Sequence, residues 1–327
     1  MVGVARDGPP PQPTRAHRFR NSLTILLFAL LASCQRPPAV TPPGPHPDPL
    51  LERMLALYAE EDAGLDKASV RRRLDRLTAA AAVRLQGLTA PRQRIQALNR
   101  FFFVERGFVA DLDLADADNL FLDRVLERRR GYCTGLASVY ITIARRLGLS
   151  VYAVSTPSHL FLRHDDGTGT INIETLEDGR EISDDTYRRR YHIPPISVQR
   201  GVFLRNLDED RFLSQLINNA GTLRSRAGER QRAQELYRRA LELDPLNVTA
   251  RFNLARDQMR QERFLLAVEG YSLGLELRPN DPWSLNNRGV CRLRLGNRDG
   301  AVADFLEALS VDPGFVEARR NLDLLTD

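Results

Sequence analysis

Three prolines set the frame for the C-terminal third of the chain. Pro245, Pro279 and Pro313 stand 34 residues apart, and three further columns keep the same step: Ala233, Ala267 and Ala301; Tyr237, Tyr271 and Phe305; Ala240, Gly274 and Ala308. A period of that length is a pair of helices, repeated and stacked. Small residues let the paired helices approach, the aromatic fills the gap between them, and proline ends the second helix. The spacing predicts units at about 214–247, 248–281 and 282–315, with Val316 to Leu325 as a capping helix. Stacked pairs enclose a concave groove, so a protein or peptide partner is expected there. Trp283, Phe252, Asn218 and Asn286 occupy helix positions that can line it, and ordinary packing suits each equally well.

Ahead of the repeats, residues 128–174 read as one helix followed by three short strands. Gly131 breaks a basic run and Cys133 opens the helix. Apolar residues then recur at Leu136, Val139, Tyr140, Ile143, Ala144 and Leu147, the stripe of a helix with one buried face. Arg145 and Arg146 suit its negative end, and Gly148 closes it. Strands are expected at 151–155, 158–163 and 170–174, each bounded by proline, glycine or aspartate.

The polar residues of this stretch fall in a suggestive pattern. Cys133 lies at the first helical turn, where unpaired backbone N–H groups and the positive dipole end favour a thiolate. His159 begins the second strand. In the third, Asn172 and Glu174 share the face opposite Ile171 and Ile173. A thiol, an imidazole and an acid or amide are the parts of a nucleophilic triad, in which the thiolate attacks a carbonyl carbon, His159 moves the proton and the third residue fixes the imidazole's tautomer. Cys133 is also in phase with the apolar stripe, so a packed core thiol fits the same pattern, as does a satisfied core histidine at 159.

Gly131-Tyr-Cys133-Thr-Gly-Leu-Ala137, the following Ala-Arg-Arg-Leu-Gly-Leu run and Pro157-Ser-His159 resemble the core of transglutaminase-like proteins, a branch of the papain-like cysteine hydrolases. Bacterial members with this core ahead of tetratricopeptide (TPR) repeats look most similar. The resemblance spans about residues 50–205, with its sharp motifs confined to 131–174. It implies that Cys133 is the nucleophile and His159 the base. Glu174 stands where the family usually has Asp, so this longer acid must reposition His159, and Asn172 is a rival orienter. The resemblance also admits members without catalysis, serving as binding modules.

The first 33 residues read as an export signal: a basic segment (Arg15, Arg18, Arg20), an apolar run from Leu23 to Ala32, then Leu31-Ala-Ser-Cys34. The apolar run of about 10 residues falls short of the ~20 that span a bilayer. Leu-Ala-Ser-Cys resembles the bacterial lipobox, which implies lipidation at Cys34, with an ordinary cleaved signal as the alternative. Gln35 resembles sorting to the outer membrane, so an envelope lipoprotein facing the periplasm is expected. Residues 34–49 carry a proline at nearly every second position and read as an extended tether of about 40 Å.

Helices are expected at about 50–62, 69–87, 92–106 and 118–130, with Asp118 or Asn119 capping the last. Phe101, Phe102, Phe103 and Phe108 supply the largest apolar volume of this half. Asn119 suits capping or packing better than an oxyanion site, which leaves the backbone N–H of Cys133 as the expected oxyanion donor. Residues 177–204, with Tyr187, Arg188 to Arg190, Tyr191 and His192, read as a solvated surface segment, with a basic aromatic lid as the alternative. His164 faces away from His159, no zinc spacing occurs, and no metal or cofactor is expected.

The formal net charge is +5, of which residues 1–33 supply +3 (four Arg, one Asp), and Lys67 is the only lysine. No basic groove for nucleic acid is implied. Three cysteines have three separate uses (Cys34 lipid, Cys133 chemistry, Cys291 packing), which argues against structural disulfides. The expected architecture is α+β: a papain/transglutaminase-like core at 50–205, a helix bundle with a small antiparallel sheet, followed by an all-α TPR solenoid at 206–327. Two functions fit it. One is a lipid-anchored cysteine hydrolase or acyltransferase acting on amide bonds; the other is a catalytically inert envelope adaptor that uses the repeat groove.

Overall fold

The computed structural model describes residues 48–113 and 116–326. The expected export signal, the expected lipidation at Cys34 and the expected tether up to residue 47 lie outside these residues. Among the described residues, no helix is long and apolar enough to cross a membrane. The first described element is α1 (Pro49–Glu61), whose first turn takes Pro49, counted with the tether by its composition. Asp48 caps it by accepting the N–H of Leu51, and proline at a first helical position lacks only an N–H that would be an orphan anyway. Next come α2 (Lys67–Leu85), capped by Asp66, and α3 (Pro91–Asn99).

The helix expected at 92–106 changes character halfway. From Arg100 to Glu105 it widens into a π-helix, and Phe101, Phe102 and Phe103 are all buried. An α-helix would fan three consecutive side chains over more than half its circumference. The wider turn lets all three reach the core, where Phe102 stacks on Phe108 with centroids 4.2 Å apart.

The expected helix at 118–130 is likewise split. A 3-10 turn (Ala117–Asn119) capped by Asp116 precedes α4 (Leu122–Arg128), so neither Asp118 nor Asn119 caps that helix. Arg129 ends it with a left-handed φ of 53°. This reversal lets β2 (Arg130–Gly131) pair in parallel with β1 (Val109–Ala110). The pairing aims the chain into α5 (Cys133–Arg146), the central helix, buried on nearly every side. Gly148, with φ of 68°, ends that turn.

β3 (Val151–Ser155), β4 (Leu160–Asp165) and β5 (Thr170–Ile173) form an antiparallel sheet in that order. Leu160, Leu162 and Ile173 belong to the same apolar core as Leu136, Val139 and Tyr140 of α5. The other face is covered over much of its area, though Tyr152 is exposed. Residues 177–204, expected as a surface segment, contain α6 (Asp184–Arg190) and α7 (Pro195–Gln199), and Ile182, Tyr187, Ile193, Val202 and Phe203 bury against Val154 and Phe161. Arg188, Arg189 and Arg190 do lie exposed on the outer side. The apolar residues beneath them are spaced by turns rather than by any regular period, so no periodicity announces them.

Seven helices follow: α8 (Glu209–Arg226), α9 (Arg230–Leu243), α10 (Val248–Arg260), α11 (Phe264–Leu277), α12 (Pro282–Arg294), α13 (Arg298–Val311) and α14 (Val316–Thr326). They are the three expected pairs and the capping helix. At each pair the aromatic of one helix lies against a small residue of the other. A Cβ on Gly221 would fall 2.7 Å from Tyr237, and one on Gly289 would fall 2.7 Å from Phe305. The repeats are fixed to the core through Glu61, at the end of α1, which accepts hydrogen bonds from Arg224 and Arg232.

Candidate active site

The site is built at one end of the sheet. With Leu162 opposite Ile173, the register puts His159, just before β4, diagonal to Glu174, just after β5, on one face. The turn that delivers the histidine is closed by Thr156, whose N–H and hydroxyl both donate to the carbonyl of His159, at 2.8 and 3.0 Å. Nε2 of His159 lies 2.9 and 2.8 Å from the two carboxylate oxygens of Glu174. A carboxylate only accepts, so Nε2 carries a proton, and Nδ1 is the nitrogen left for Cys133, which interacts with the ring. Tyr191 stacks beside the imidazole, with centroids 5.9 Å apart.

Glu174 is 1 % exposed and its carboxylate is held from two further directions. The N–H of Leu176 donates to Oε1 at 2.9 Å and the hydroxyl of Tyr187 to Oε2 at 2.8 Å. The Leu176 bond curls the side chain back over its own backbone, which is how an acid longer than Asp still meets the imidazole. Asn172, the rival orienter, is engaged elsewhere: its Oδ1 accepts from Nε of Arg163, and its Nδ2 donates to the carbonyl of Ile182 and to Asp184. His164 points to the opposite side, with Nδ1 2.9 Å from the carbonyl of Ser150.

Electrostatics bind these groups together. Burial disfavours a charged imidazole at 159, but interaction with the Cys133 sulfur and with the carboxylate of Glu174, which accepts from Nε2, outweighs it, raising His159 to about 9. For Glu174 burial likewise opposes charge, and His159, the Leu176 N–H and the Tyr187 hydroxyl overcome it, holding the carboxyl below its ordinary value. Desolvation, then the neighbouring Glu174 charge and hydrogen bond, push the Tyr187 phenol up, so it remains a donor.

Cys133 sits at the first position of α5, presented by Asn119. The Asn119 carbonyl accepts the N–H of Tyr132 at 2.9 Å, and its side-chain amide donates to the carbonyl of Asp113. The close approach explains two glycines. A Cβ on Gly135 would lie 2.5 Å from the Asn119 carbonyl oxygen, and one on Gly131 2.9 Å from Val125. Although only 2 % exposed, Cys133 lines a cavity of about 950 Å³ together with His159.

That cavity does not stop at the core. Asn218, Thr222, Phe252, Asn253, Trp283 and Asn287 line it farther along. Asn286, also expected in the groove, is not among the lining residues; its Oδ1 accepts from Asn321 of the capping helix at 2.8 Å. A column overlooked in the sequence runs through this region: Asn219, Asn253, Asn287 and Asn321, spaced by the same 34 residues. Asn253 and Asn321 each donate to an asparagine of the preceding repeat, Asn218 and Asn286, whereas Asn287 donates to the Tyr271 hydroxyl. Asn219 has no preceding repeat and instead donates to Thr134 Oγ1 at 3.0 Å. The first turn of α5 thus takes the place of a repeat in the ladder, one residue from the thiol. The 34-residue step was the signal that could have found it.

Residues 68–218 match the family model of the transglutaminase-like superfamily, and residues 214–245 and 284–315 match the tetratricopeptide repeat. The two matches overlap within α8. A UPF0162 protein of Pseudomonas aeruginosa is 29% identical over 270 residues, covering 79% of this chain and 92% of that protein. A UPF0162 protein of Xylella fastidiosa is 28% identical over 233 residues, 71% of each chain, and Protein SirB1 of Salmonella typhimurium is 24% identical over 73% of this chain and 79% of its own. Among solved structures, the first TPR domain of Spaghetti (RPAP3) bound to an HSP90 peptide is 22% identical over 37% of this chain and 94% of that one, with a TM-score of 0.35.

Proposed function

Because the chain carries a transglutaminase-like domain followed by tetratricopeptide repeats, we propose that it is a cysteine hydrolase or acyltransferase acting on amide bonds. The observation that carries this reading is His159 on one cavity wall with Cys133, its Nε2 bound to Glu174, whose carboxylate is in turn held by Tyr187. A structural histidine needs neither a thiol beside it on a cavity wall nor a braced carboxylate on its Nε2.

The Cys133 thiol gives its proton to Nδ1 of His159 as its sulfur attacks the amide carbonyl carbon, and the developing oxyanion is placed at the N-terminus of α5, where the Cys133 N–H is the candidate donor. The C–N bond then breaks. The departing amine takes the proton held on Nδ1 of His159, leaving a thioester on Cys133. His159 next accepts a proton from water or from an amine, which attacks the thioester and frees the thiol. Glu174 retains the Nε2 proton throughout and stabilises the imidazolium. Leu31-Ala-Ser-Cys34 supports lipid anchoring at Cys34 in a bacterial envelope, and the repeat groove supports a protein or peptide partner.

The deciding experiment is alkylation of the full chain with iodoacetamide across pH. The reading expects Cys133 to react far faster than a cysteine in an unfolded peptide, and Cys133→Ala to abolish amide turnover. A thiol no faster than the peptide, with Cys133→Ala indistinguishable from wild type, leaves only the adaptor. Anchoring is checked separately: Cys34→Ser is expected to abolish incorporation of labelled fatty acid.

A further inference from the structure

One cavity serves both the thiol cleft and the repeat groove. Cys133 and His159 stand at one end and Trp283 and Asn287 at the other, with walls from α8, α10, α11 and α12 between them. Its volume of about 950 Å³ is near the top of the ~300–1,000 Å³ typical of small-molecule pockets, and its lining comes from successive repeats, a shape suited to an extended chain. The two parts are held in register. The Asn219–Thr134 bond ties the repeat ladder to the turn bearing Cys133, and Glu61 is clamped by Arg224 and Arg232 behind it.

Charge is divided along this cavity. The acids at the thiol end, Asp113 and Asp116, belong to the loop ahead of Asn119, and Asp116 is already paired with Arg128 at 2.6 Å. Toward the repeats, Asp281 is paired with Arg278 at 3.0 Å. Between the two ends lies Arg256. Its guanidinium rests over the Phe252 ring, 5.7 Å from the centroid, and its buried Nε finds no hydrogen-bond partner among the described residues. A half-buried guanidinium with unspent donors on a cavity wall is complementary to a carboxylate.

We infer that the repeat groove is the substrate-binding half of the thiol site. One extended polypeptide segment occupies it, with the reacting amide at Cys133 and an acidic flank against Arg256. This rests on the reading of Cys133 as the nucleophile. The repeats then select the substrate for the reaction next to them, rather than recruiting a separate partner.

The test uses two fluorescent peptides, one Glu-rich and one with Lys in place of every Glu, added to the full chain. Binding is read by anisotropy, and occupancy of the thiol end by the iodoacetamide rate at Cys133. The Glu-rich peptide is expected to bind and to slow alkylation with the same midpoint, while the Lys-rich one does neither. Arg256→Gln is expected to weaken both effects about tenfold, as for the loss of one charge-assisted contact, and Arg256→Glu to reverse the preference. Thermal melts exclude unfolded variants, and the milder Arg256→Gln keeps the test valid should Arg256→Glu fail to fold. Binding without protection of Cys133 would overturn the inference by showing two separate sites, and so would equal behaviour of the two peptides. Failure of the underlying catalytic reading shows differently, as a slow thiol before any peptide is added.

Discussion

The Tyr187 hydroxyl donates to Oε2 of Glu174 at 2.8 Å, the same oxygen that faces Nε2 of His159 at 2.8 Å. The phenol ring lies flat on Phe161, with centroids 3.9 Å apart and planes within 6°. An aromatic from α6 therefore fixes the acid that fixes the base. Tyr187→Phe keeps the ring and its stack but removes the donor. It is expected to cost about 1.5–3 kcal/mol, the usual worth of a hydrogen bond to a charged group. Urea unfolding checks this: the midpoint should fall while the slope stays constant.

Glu174→Gln separates charge from shape. The carboxylate is one of the groups that raise His159 to about 9, so the neutral amide is expected to lower that value, with the Cys133 contribution remaining. Turnover of an amide substrate should drop about 10²–10⁴-fold, as when the acid of a related triad loses its charge. Proton NMR of the imidazole across pH gives the first result and steady-state kinetics the second.

The same pair makes stability depend on pH, with a definite sign. His159 has a folded value of about 9 against about 6.5 unfolded, so its contribution is fully present below about 6.5 and is lost as pH rises through about 9. The size is on the order of 2–4 kcal/mol. Glu174 acts in the opposite sense, contributing above the ordinary carboxyl range and losing that contribution as pH falls. Urea midpoints between pH 6.5 and 9 should decline in wild type, and His159→Gln should flatten that slope.

Much of this was legible from the chain, and the reasons are physical. Helix pairs repeat because each must bury the same small-aromatic contact, so Tyr237, Tyr271 and Phe305 announce themselves by spacing. Cys133, His159 and Glu174 could be aligned because side chains alternate along strands and a helix start is marked by its glycine. Tyr187 and Tyr191 entered only through the alternative of a lid, and their partners stayed hidden because the segment that carries them turns too often to show a period and its Arg188–Arg190 run mimics a solvated face. Asn172 and Glu174 could not be told apart, since they share a strand face. Only the register, which pairs Asn172 with Arg163, separates them. The π-helix at Phe101 to Phe103 was illegible for another reason: three adjacent aromatics say they want burial, not how the backbone turns to permit it.

Gly135 offers a test of how the nucleophile is presented. A Cβ there would meet the Asn119 carbonyl oxygen at 2.5 Å, a backbone atom that cannot rotate aside. Gly135→Ala should force α5 and the Asn119 turn apart at a cost of about 1–3 kcal/mol, the range for overpacking. The displaced turn carries Cys133, so the iodoacetamide rate should fall as well. Gly148→Ala, far from the thiol at the other end of α5, is expected to destabilise through its φ of 68° while leaving that rate unchanged.

Glu61 decides whether core and repeats behave as one body. Its side chain is 1 % exposed and lies 2.6 Å from Arg224 and 2.6 Å from Arg232, while both arginines keep partial access to water. Removing one partner of a buried pair costs about 3–5 kcal/mol when the other is fully buried, so partial solvation of the guanidiniums brings the expected cost of Glu61→Gln to about 2–3 kcal/mol. The loss falls on the contact of α1 with α8 and α9, not on either hydrophobic core. Hydrogen exchange should therefore rise first in α8 and α9, while α5 and the sheet keep their protection until global unfolding. Because α8 also carries Asn219, whose amide holds Thr134 beside the thiol, the same variant should broaden the Cys133 alkylation profile as the repeats loosen. Uniform exchange across both halves would mean that the ion pairs contribute only to overall stability, without setting the relation of groove to thiol.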